Sequence, residues 1–511
     1  GPIGEEFVRY ALEELRRTRP DLAERTGLVV ETTLDAGLQL AAQRLAEAHV
    51  ARLRDHGVTN AAVVVLDPTS GAIRAMVGNV EGDVNLALAR RQPGSAVKPI
   101  VYAAALDAGL TAATPLSDVP TLFETDEHRY GPWNADRSWH GPVPLRVALA
   151  SSLNVPAIET LGRIGTERVL QLANGLGLGL GEPERYGLAL ALGAGEVRLL
   201  DLAAAYSAFA NGGAYHPPFA ITRVLDGDGN VLYERPQGEP RRVVSPGVAY
   251  ILADILSDRD ARALGFGYGT PLELPFPAAV KTGTTTGFRD NWTVGFTGSF
   301  VVGVWVGNAD GAPMENVTGL DGAAPLWRDV MLAASKIFPP RWMERPEEVV
   351  EAPICVPVGL RPGPDCPRVE RELFVRGTEP AETESFYSRT EDGRLAVAAP
   401  GPLAAWAKSV GFAVASTPDA RSVVVSAPAD GSVVWLAPEV GSQEVLLRAV
   451  ASGDVRRLEL RLDGRLVAAS ESTELRVPVT LSPGPHVAVA TAAFSDGSRL
   501  SHTSTFEVFE R

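Results

Sequence analysis

Lysine is rare in this 511-residue sequence, and two of its lysines stand close to hydroxyl side chains. Only Lys98, Lys281, Lys336 and Lys408 occur among 47 basic residues, and arginine supplies the rest. Arginine stays protonated in proteins, whereas burial or a nearby cation can bring a lysine close to neutrality. A site that must accept a proton therefore needs lysine. The surroundings of Lys98 and Lys281 are the first candidates for chemistry.

Ser95 precedes Lys98 by three positions, after a Pro-Gly step that is typical of a helix start. Residues three apart on a helix share one face. A serine becomes a good nucleophile when a base takes its proton, and the free amides of a helix N-terminus can stabilise developing negative charge. The pair predicts a nucleophile with its base. The alternative interpretation is a capping serine beside a solvated lysine.

Two further motifs carry matching groups. Ser152-Leu153-Asn154 follows an Ala/Leu-rich helical pattern and offers a hydroxyl to relay a proton and an amide to hold a peptide carbonyl. Residues 281–284, Lys-Thr-Gly-Thr, end a predicted strand. The glycine there permits close backbone approach, and the ammonium and hydroxyls suit a carboxylate. Taken singly, the two motifs could be a helix cap and a strand-end turn.

In the order 95, 152, 281, the three motifs together resemble the signature of penicillin-binding proteins and serine β-lactamases. The resemblance to the transpeptidase half of class A penicillin-binding proteins covers residues 5–335 and is carried by residues 32–35, 91–99, 148–156, 190–195, 205–213 and 279–292. Residues 265–267, 288–292, 303–308, 319–331 and 355–367 resemble the 1C type of that family. One departure is Val84-Asn85-Leu86-Ala87, where relatives usually have an aromatic-Asn-Arg-Ala run.

The resemblance implies a role for each candidate residue. Ser95 would be the acylated nucleophile and Lys98 its base, with Ser152, Asn154 and Lys281 completing the proton and substrate network. Residues Thr282, Gly283 and Thr284 would serve substrate binding and the oxyanion hole. The hydroxyls of Thr282 and Thr284 would bind the substrate carboxylate, and the backbone amides of Ser95 and Thr284 would stabilise the oxyanion. Two candidates for the group that deprotonates Ser95 stay open, namely Lys98 itself and Ser152 acting with Lys281.

The function that the resemblance implies is a peptidoglycan DD-transpeptidase, which cross-links stem peptides through an acyl-Ser95 intermediate and is acylated by β-lactams. The alternatives are a DD-carboxypeptidase or β-lactamase, which passes the acyl group to water, and a catalytically silent scaffold or sensor. We expect no cofactor and no metal. The expected partners are stem peptides and β-lactams, with cell-wall proteins at the C-terminal domain. The expected location is the periplasmic side of the bacterial inner membrane.

The secondary-structure pattern around these motifs predicts an α+β fold, in which helices flank an antiparallel sheet. Residues 61–67 and 72–78 read as a hairpin, and residues 278–284, 292–297 and 300–308 as an antiparallel meander. Amphipathic helices are predicted over residues 5–17 and 35–54, the second with Thr32 and Thr33 as cap candidates. The tryptophans Trp292, Trp305 and Trp327 are predicted to lie in the core, and residues 226–230 to form a hairpin turn rather than a calcium loop.

We predict four regions along the chain. Residues 1–57 are a helical region, 58–338 the transpeptidase domain, 339–417 a Pro/Gly-rich linker with little core, and 418–511 an Ig-like β-sandwich with short alternating strands. Cys355 and Cys366 lie in the linker, with no histidine between residues 341 and 401 to complete a metal site. They are a candidate disulfide, and two free thiols is the alternative.

Composition argues against a nucleic-acid-binding role and against a membrane-spanning segment. The 62 acidic and 47 basic residues give a net charge of −15, which disfavours nucleic acid as a partner. The longest nearly apolar stretch, residues 295–307, is too short to cross a bilayer. Because class A penicillin-binding proteins carry a membrane anchor and a glycosyltransferase domain upstream, we expect this chain to be a fragment without its front half.

Overall fold

The computed structural model describes residues 4–510 except 122, 125–128, 136–137, 316, 400–403, 405–406, 408–411, 415–420, 429, 432 and 437–443, so Lys408 lies outside the described residues. The helices are α1 (Glu5–Thr18), α2 (Pro20–Ala23), α3 (Ala36–Arg52), α4 (Lys98–Asp107), α5 (Leu145–Ala150), α6 (Asn154–Ile164), α7 (Thr166–Gly175), α8 (Leu199–Ala210), α9 (Pro246–Ser257), α10 (Arg259–Phe266) and α11 (Ala323–Ser335). Short 3-10 turns span Arg54–His56, Gly94–Val97, Pro183–Arg185 and Gly187–Leu192. Among the described residues, none of these helices combines the length and the apolar character needed to cross a bilayer.

The strands before residue 338 are β1 (Val29–Thr32), β2 (Asn60–Leu66), β3 (Ile73–Val77), β4 (Pro115–Asp118), β5 (Phe123–Glu124), β6 (Arg129–Tyr130), β7 (Gly141–Pro144), β8 (Ala214–Tyr215), β9 (Ile221–Leu225), β10 (Val231–Glu234), β11 (Arg241–Arg242), β12 (Ala279–Thr284), β13 (Asp290–Phe296) and β14 (Val301–Gly307). The central sheet is antiparallel in the order β12-β13-β14-β2-β3. The predicted hairpin and meander are therefore confirmed, and β12 lies at one edge of the sheet.

Both faces of the central sheet are buried. Alternate residues of a strand point to opposite faces, and along β2 Val64 packs into one core while Val63 and Val65 pack into another. The first core contains α4, α8 and α9, and the second contains α3 and α11. The α+β fold with helices on both sides of an antiparallel sheet follows from this double burial.

The structure confirms the predicted burial of three tryptophans and the predicted turn after β9, but it does not confirm the predicted cap of α3. Trp292, Trp305 and Trp327 are buried, as predicted. The predicted hairpin turn after β9 is confirmed, since β9 and β10 pair antiparallel across it. The predicted cap of α3 is wrong, because the Asp35 carboxylate accepts the Leu38 N–H at 2.8 Å. The Thr33 hydroxyl instead donates to the Ile73 carbonyl at 2.6 Å, which ties β1 to β3.

The segment between the transpeptidase region and the tail contains paired strands. Its strands are β15 (Val349–Cys355), β16 (Val369–Val375), β17 (Tyr387–Arg389), β18 (Leu395–Val397) and β19 (Ala413–Val414). Strands β15 and β16 form an antiparallel hairpin, and a disulfide joins Cys355 to Cys366 across a Cα–Cα distance of 5.9 Å. One small cluster of buried side chains lies within this segment, and in a second cluster Ile354 and Phe374 pack against Ala113 of the transpeptidase region. The segment was predicted to have little core of its own.

The C-terminal region is a β-sandwich. Its strands are β20 (Ser422–Ala427), β21 (Val433–Leu436), β22 (Glu444–Ser452), β23 (Val455–Leu462), β24 (Arg465–Ser470), β25 (Glu474–Thr480), β26 (Gly484–Phe494) and β27 (Arg499–Glu510). One sheet has the order β20-β22-β25 and the other β21-β27-β26-β23-β24. Side chains from both sheets share one core, which confirms the predicted sandwich.

Candidate active site

Ser95 lies in the 3-10 turn that leads directly into α4, and Lys98 is the first residue of that helix. The turn is fixed from the sheet and from α8, because the Trp292 indole donates to the Gln92 carbonyl at 2.9 Å and the Tyr206 hydroxyl donates to the Ala96 carbonyl at 2.6 Å. Lys98 has no exposed surface. The alternative of a solvated lysine is therefore excluded for this position.

Two glycines let the edge strand β12 touch the Ser95 turn. A Cβ atom on Gly283 would lie closer to the Pro93 carbonyl oxygen than van der Waals contact allows. Gly94 has a φ of +54°, and a Cβ atom there would meet the Thr284 carbonyl oxygen at 2.6 Å. Only glycine combines this backbone conformation with so close an approach. The end of β12 thus lies directly beside Ser95.

Ser152 lies in the turn between α5 and α6, with a left-handed φ of +59° that is unusual for a residue other than glycine. Such strained conformations persist where surrounding contacts enforce them and are concentrated at functional sites. The neighbouring Ser151 supplies one such contact, since its hydroxyl donates to the Ala261 carbonyl at 2.7 Å and accepts the Gly265 N–H at 3.0 Å. The turn is therefore attached to α10.

Both buried lysines reach the hydroxyl of Ser152. Lys281 Nζ lies 2.8 Å from Ser152 Oγ, and Lys98 Nζ lies 3.3 Å from the same atom. Lys98 Nζ also donates to the carbonyls of Ser152 and Leu153, at 2.7 and 3.1 Å, and to Asn154 Oδ1 at 2.7 Å. Three distant segments of the sequence therefore meet in one hydrogen-bonded cluster.

The electrostatics of the cluster favour loss of a proton. Burial and the positive charge of Lys281 hold the pKa of Lys98 well below the usual lysine value, against the opposing influence of the Asp118 carboxylate. Burial and the Arg262 guanidinium lower the pKa of Lys281 to about 7. The oxygen atoms around Lys98 favour its ammonium, but complete burial beside a second cation outweighs them. The site therefore does not hold two full positive charges easily.

A cleft opens above this cluster. It is lined by Ser95, Trp133, Asn134, Ala135, Ser151, Ser152, Leu153, Asn154, Gly265, Phe266, Thr282, Gly283 and Thr284. Within the described residues, the Ser95 hydroxyl makes no hydrogen bond. By contrast, Thr284 Oγ1 accepts the Gly319 N–H at 3.1 Å. Ser95, Ser152, Asn154 and residues 282–284, all selected from the sequence, thus face one cavity, while Lys98 and Lys281 lie beneath its floor.

The cleft also contains residues that the sequence did not single out as site residues. Asn134 Oδ1 accepts the Asn154 N–H at 3.0 Å, and the carboxylate of the fully buried Asp118 accepts from Asn134 Nδ2 at 2.8 and 2.9 Å. Asp118 also accepts the backbone N–H of His140 and contacts His140 Nδ1, at 3.0 and 2.7 Å. The carbonyl of Trp133 accepts from Asn154 Nδ2 at 2.6 Å. A buried carboxylate therefore holds the loop that walls the cleft.

Part of this wall was visible in the sequence. The loop over residues 117–142 contains Trp133 and Trp139, and the ordinary interpretation of such aromatics is packing within the loop. Their ring centroids do lie 5.3 Å apart, yet Trp133 is also 59% exposed and lines the cleft. The exposure of this large ring above a polar cluster marks the loop as part of a binding site, and the sequence alone gives only the aromatic residue and not its exposure.

Comparisons with known proteins agree with this geometry. Residues 61–331 match the family model described as the penicillin binding protein transpeptidase domain, and residues 345–389 match that of the penicillin-binding protein 1A C-terminal domain. Penicillin-binding protein 1C of Escherichia coli is 36% identical over 343 residues, which cover 65% of this chain and 41% of that protein. Penicillin-binding protein 1A of Aquifex aeolicus is 35% identical over 329 residues, which cover 62% and 44%. The chain thus spans less than half of either relative.

Solved structures show the same fold. The crystal structure of penicillin-binding protein 1A from Haemophilus influenzae matches with a TM-score of 0.65 at 23% identity, covering 74% of this chain and 76% of that one. The structure of PonA1 from Mycobacterium tuberculosis in complex with penicillin V matches with a TM-score of 0.57 at 26% identity, covering 68% and 96%.

Proposed function

The chain belongs to the penicillin-binding protein transpeptidase family, and on that premise we propose that it is a peptidoglycan DD-transpeptidase acting through Ser95. The observation that carries this proposal is the convergence of Lys98 and Lys281 on Ser152 Oγ beneath a cleft that Ser95 lines. The substrate class is a stem peptide ending in D-alanyl-D-alanine, and β-lactams acylate the same serine.

In the first half-reaction, Ser95 Oγ attacks the carbonyl carbon of the penultimate D-alanine while Lys98, whose pKa is lowered by burial and by Lys281, takes the hydroxyl proton. The tetrahedral oxyanion is stabilised by the amides of Ser95 and Thr284, each worth about 3 kcal/mol in comparable sites. The C–N bond then breaks, and the terminal D-alanine leaves with a proton relayed by Ser152. An ester on Ser95 remains.

In the second half-reaction, the amino group of a neighbouring stem peptide attacks the ester carbonyl and gives up a proton to the same network. The ester C–O bond breaks, Ser95 Oγ regains its proton, and a new peptide bond joins the two chains. Asn154 supports this step, because its Nδ2 has a second N–H besides the one donated to Trp133, and that N–H can hold the donor carbonyl.

The substrate carboxylate is assigned to the strand side of the cleft. The Thr282 and Thr284 hydroxyls line the cleft at the end of β12, where Gly283 keeps the backbone close to Ser95, and the buried Lys281 ammonium lies beneath them. A carboxylate bound there would be held by charge-assisted hydrogen bonds. Ser152 acting with Lys281 is the alternative base, and Lys281 Nζ is the nearer of the two amines to Ser152 Oγ, at 2.8 Å against 3.3 Å for Lys98 Nζ.

The wider setting is also proposed. The Cys355–Cys366 disulfide supports an oxidising, extracytoplasmic location. Similarity to penicillin-binding protein 1C of Escherichia coli supports the 1C type. The family resemblance implies a membrane anchor and a glycosyltransferase domain for members of that type. Stem peptides of the periplasmic cell wall would then be the substrates, and cell-wall proteins would be partners of the C-terminal sandwich.

Intact-mass spectrometry after exposure to penicillin tests the proposal. We expect the chain to gain the mass of one opened penicillin, Ser95→Ala to gain none, and Ser70→Ala, at a turn outside the cleft, to label normally. A second measurement adds a D-alanyl-D-alanine donor peptide with and without an acceptor amine. Amide product supports transpeptidation, whereas hydrolysis alone indicates a carboxypeptidase. Rapid loss of the penicillin adduct indicates a β-lactamase, and no adduct indicates a silent scaffold.

A further inference from the structure

Helix α5 joins a buried ion cluster to the Ser152 turn. Arg146 is the second residue of this short helix, and Ser151 and Ser152 follow its last residue. The Arg146 guanidinium contacts three carboxylates: Nε and Nη2 lie 2.8 and 2.6 Å from Glu372, Nη2 lies 2.7 Å from Asp254, and Nη1 lies 3.1 Å from Asp258. Glu372 is on β16, outside the residues that match the transpeptidase family model.

The pair between Arg146 and Glu372 is not a surface ion pair. The two side chains are 14% and 5% exposed. The contact is bidentate, which fixes the orientation of the guanidinium as well as its distance. When one partner of a buried pair is removed, the remaining charge is left without compensation, so the cost far exceeds that for an exposed pair. Glu372 therefore constrains where α5 begins.

The same hairpin holds the backbone that precedes α5. Leu145 N–H donates to the Thr114 carbonyl at 2.8 Å, and Arg146 N–H donates to the Ala112 carbonyl at 3.0 Å, so the turn at residues 111–114 sets the position of the helix start. Gly359, which follows β15, lies so close to the Ala113 carbonyl that a Cβ atom there would clash, and its φ is +76°. Ile354 and Phe374 of the hairpin pack with Ala113.

A second path leads from Arg146 to the same turn through α10. Asp258 caps that helix by accepting the Ala261 N–H at 2.9 Å. Ala261 and Gly265 of α10 are the two residues whose backbone is hydrogen-bonded to the Ser151 hydroxyl. The ion cluster thus anchors both elements that meet at Ser151, next to the strained residue Ser152.

We propose that Glu372 is a positioning residue for the Ser152 turn, so that the β15–β16 hairpin is a working part of the acylation site. This proposal rests on the proposed function for its kinetic consequence. Glu372 orients Arg146, Arg146 sets the starts of α5 and α10, and these helices hold Ser152 between the two lysines. A displaced Ser152 slows acylation, while the end of β12, whose hydrogen-bonded ladder partner is β13, keeps its affinity for the carboxylate.

The test compares Glu372→Gln with Glu351→Gln. Glu351 lies on the same hairpin, and its carboxylate pairs with Arg345 and Arg371 at the surface, both at 2.8 Å. We expect Glu372→Gln to lower the limiting acylation rate constant for a fluorescent penicillin about tenfold. The half-saturating concentration should change less than twofold, and Glu351→Gln should match the parent. Glu372→Asp, which keeps the charge, should recover part of the rate. A melting temperature lowered without any change in acylation would overturn the proposal.

Hydrogen–deuterium exchange over residues 145–154 separates this inference from the proposed function. We expect faster exchange there in Glu372→Gln than in Glu351→Gln, and this result needs no activity. If Glu372→Gln does not fold, the same comparison is made with Glu372→Asp. Unchanged exchange over residues 145–154 in a folded Glu372 variant overturns the positioning role. Absence of any penicillin adduct in the parent, with altered exchange in the variant, would overturn the proposed function alone.

Discussion

The two walls of the cleft are built in different ways. The strand wall, residues 281–284, belongs to a regular ladder in which Lys281 pairs with Val294 and Thr284 with Asn291. The helical wall is the Ser152 turn with the loop around Asn134, and it is held by side-chain contacts to Lys98, Asp118 and α10. Many backbone hydrogen bonds stabilise a strand, so each contributes a small part. A wall that is held by a few buried polar groups depends on every one of them.

The two walls also differ in how their buried polar groups are held. The left-handed conformation of Ser152 and the fully buried carboxylate of Asp118 are on the helical side, while the strand side has buried charges of its own in Lys281 and Asp290. On the strand side, Gly283 of β12 and Gly94 of the Ser95 turn permit the close approach of the two backbones. We therefore expect single polar substitutions to damage the helical wall more than the strand wall.

The largest expected effect comes from Lys98, which supports the helical wall and is the proposed base. Lys98→Arg keeps a cation that can donate to the surrounding oxygens but cannot accept a proton, so acylation by penicillin should fall by about a thousandfold. The second-order acylation rate constant measures this. Lys336→Arg, at an exposed position, is the matched control and should be unchanged. Normal labelling of Lys98→Arg would contradict the assignment of the base.

A matched pair of buried aspartates tests the difference between the walls. Asn134 Nδ2 donates to both carboxylate oxygens of Asp118, at 2.9 and 2.8 Å, so in Asp118→Asn the new amide N–H would face that N–H in either orientation, although His140 Nδ1 also lies 2.7 Å from one of the oxygens. On the strand side, Asp290 accepts from the Trp305 indole and lies 3.2 Å from the Thr285 hydroxyl, which could accept from an amide. We expect acylation to fall roughly ten- to hundredfold in Asp118→Asn and less than about threefold in Asp290→Asn.

Equal losses in the two aspartate variants would remove the distinction between the walls. The melting temperature of each variant is measured alongside, because a buried donor facing a donor also destabilises the fold. Acylation is compared well below both melting temperatures, where each protein is folded. A larger loss in Asp290→Asn would reverse the interpretation and assign the dependence on buried polar groups to the strand wall.

Sequence patterns anticipated the strand wall better than the helical one. Apolar runs predicted β12, β13 and β14, and the motif spacing singled out Ser95, Lys98 and Lys281. Asp118 stands 16 positions from Asn134 and 22 from His140, and no periodicity links residues so placed. Arg146 and Glu372 are 226 positions apart, and no periodicity links them either. Buried polar contacts between irregular segments form only once the chain has folded, so a local pattern does not reveal them.

The α3 cap shows the same limit at short range. Thr32, Thr33 and Asp35 are all suitable capping residues by type. Asp35 caps the helix because β1 continues through Thr32 and the Thr33 hydroxyl is used by the Ile73 carbonyl. The competition was decided by strand pairing, which the residue types alone do not contain.

The smallest expected effect is a pH dependence that separates the two lysines. Lys281 has a pKa of about 7, set by burial and by Arg262 of α10, so its amine is charged below that pH and neutral above it. If the ammonium binds the substrate carboxylate, the charged fraction falls from half at pH 7 to roughly a tenth at pH 8, and acylation should fall about fivefold over that interval. Lys98 changes the rate in the opposite direction. A base must be neutral, so the acylation rate falls when Lys98 becomes protonated at low pH.

In Lys281→Arg the guanidinium stays charged, so the decline above pH 7 should disappear even if the maximal rate is lower. The acylation rate constant measured from about pH 5.5 to 9 in both proteins decides the matter. A decline of the same size in Lys281→Arg would show that another group titrates, and Lys98 could not be that group, since its deprotonation increases the rate. If the pH profiles of the parent and Lys281→Arg differ only above pH 7, carboxylate binding is assigned to the strand wall and proton transfer to the helical wall.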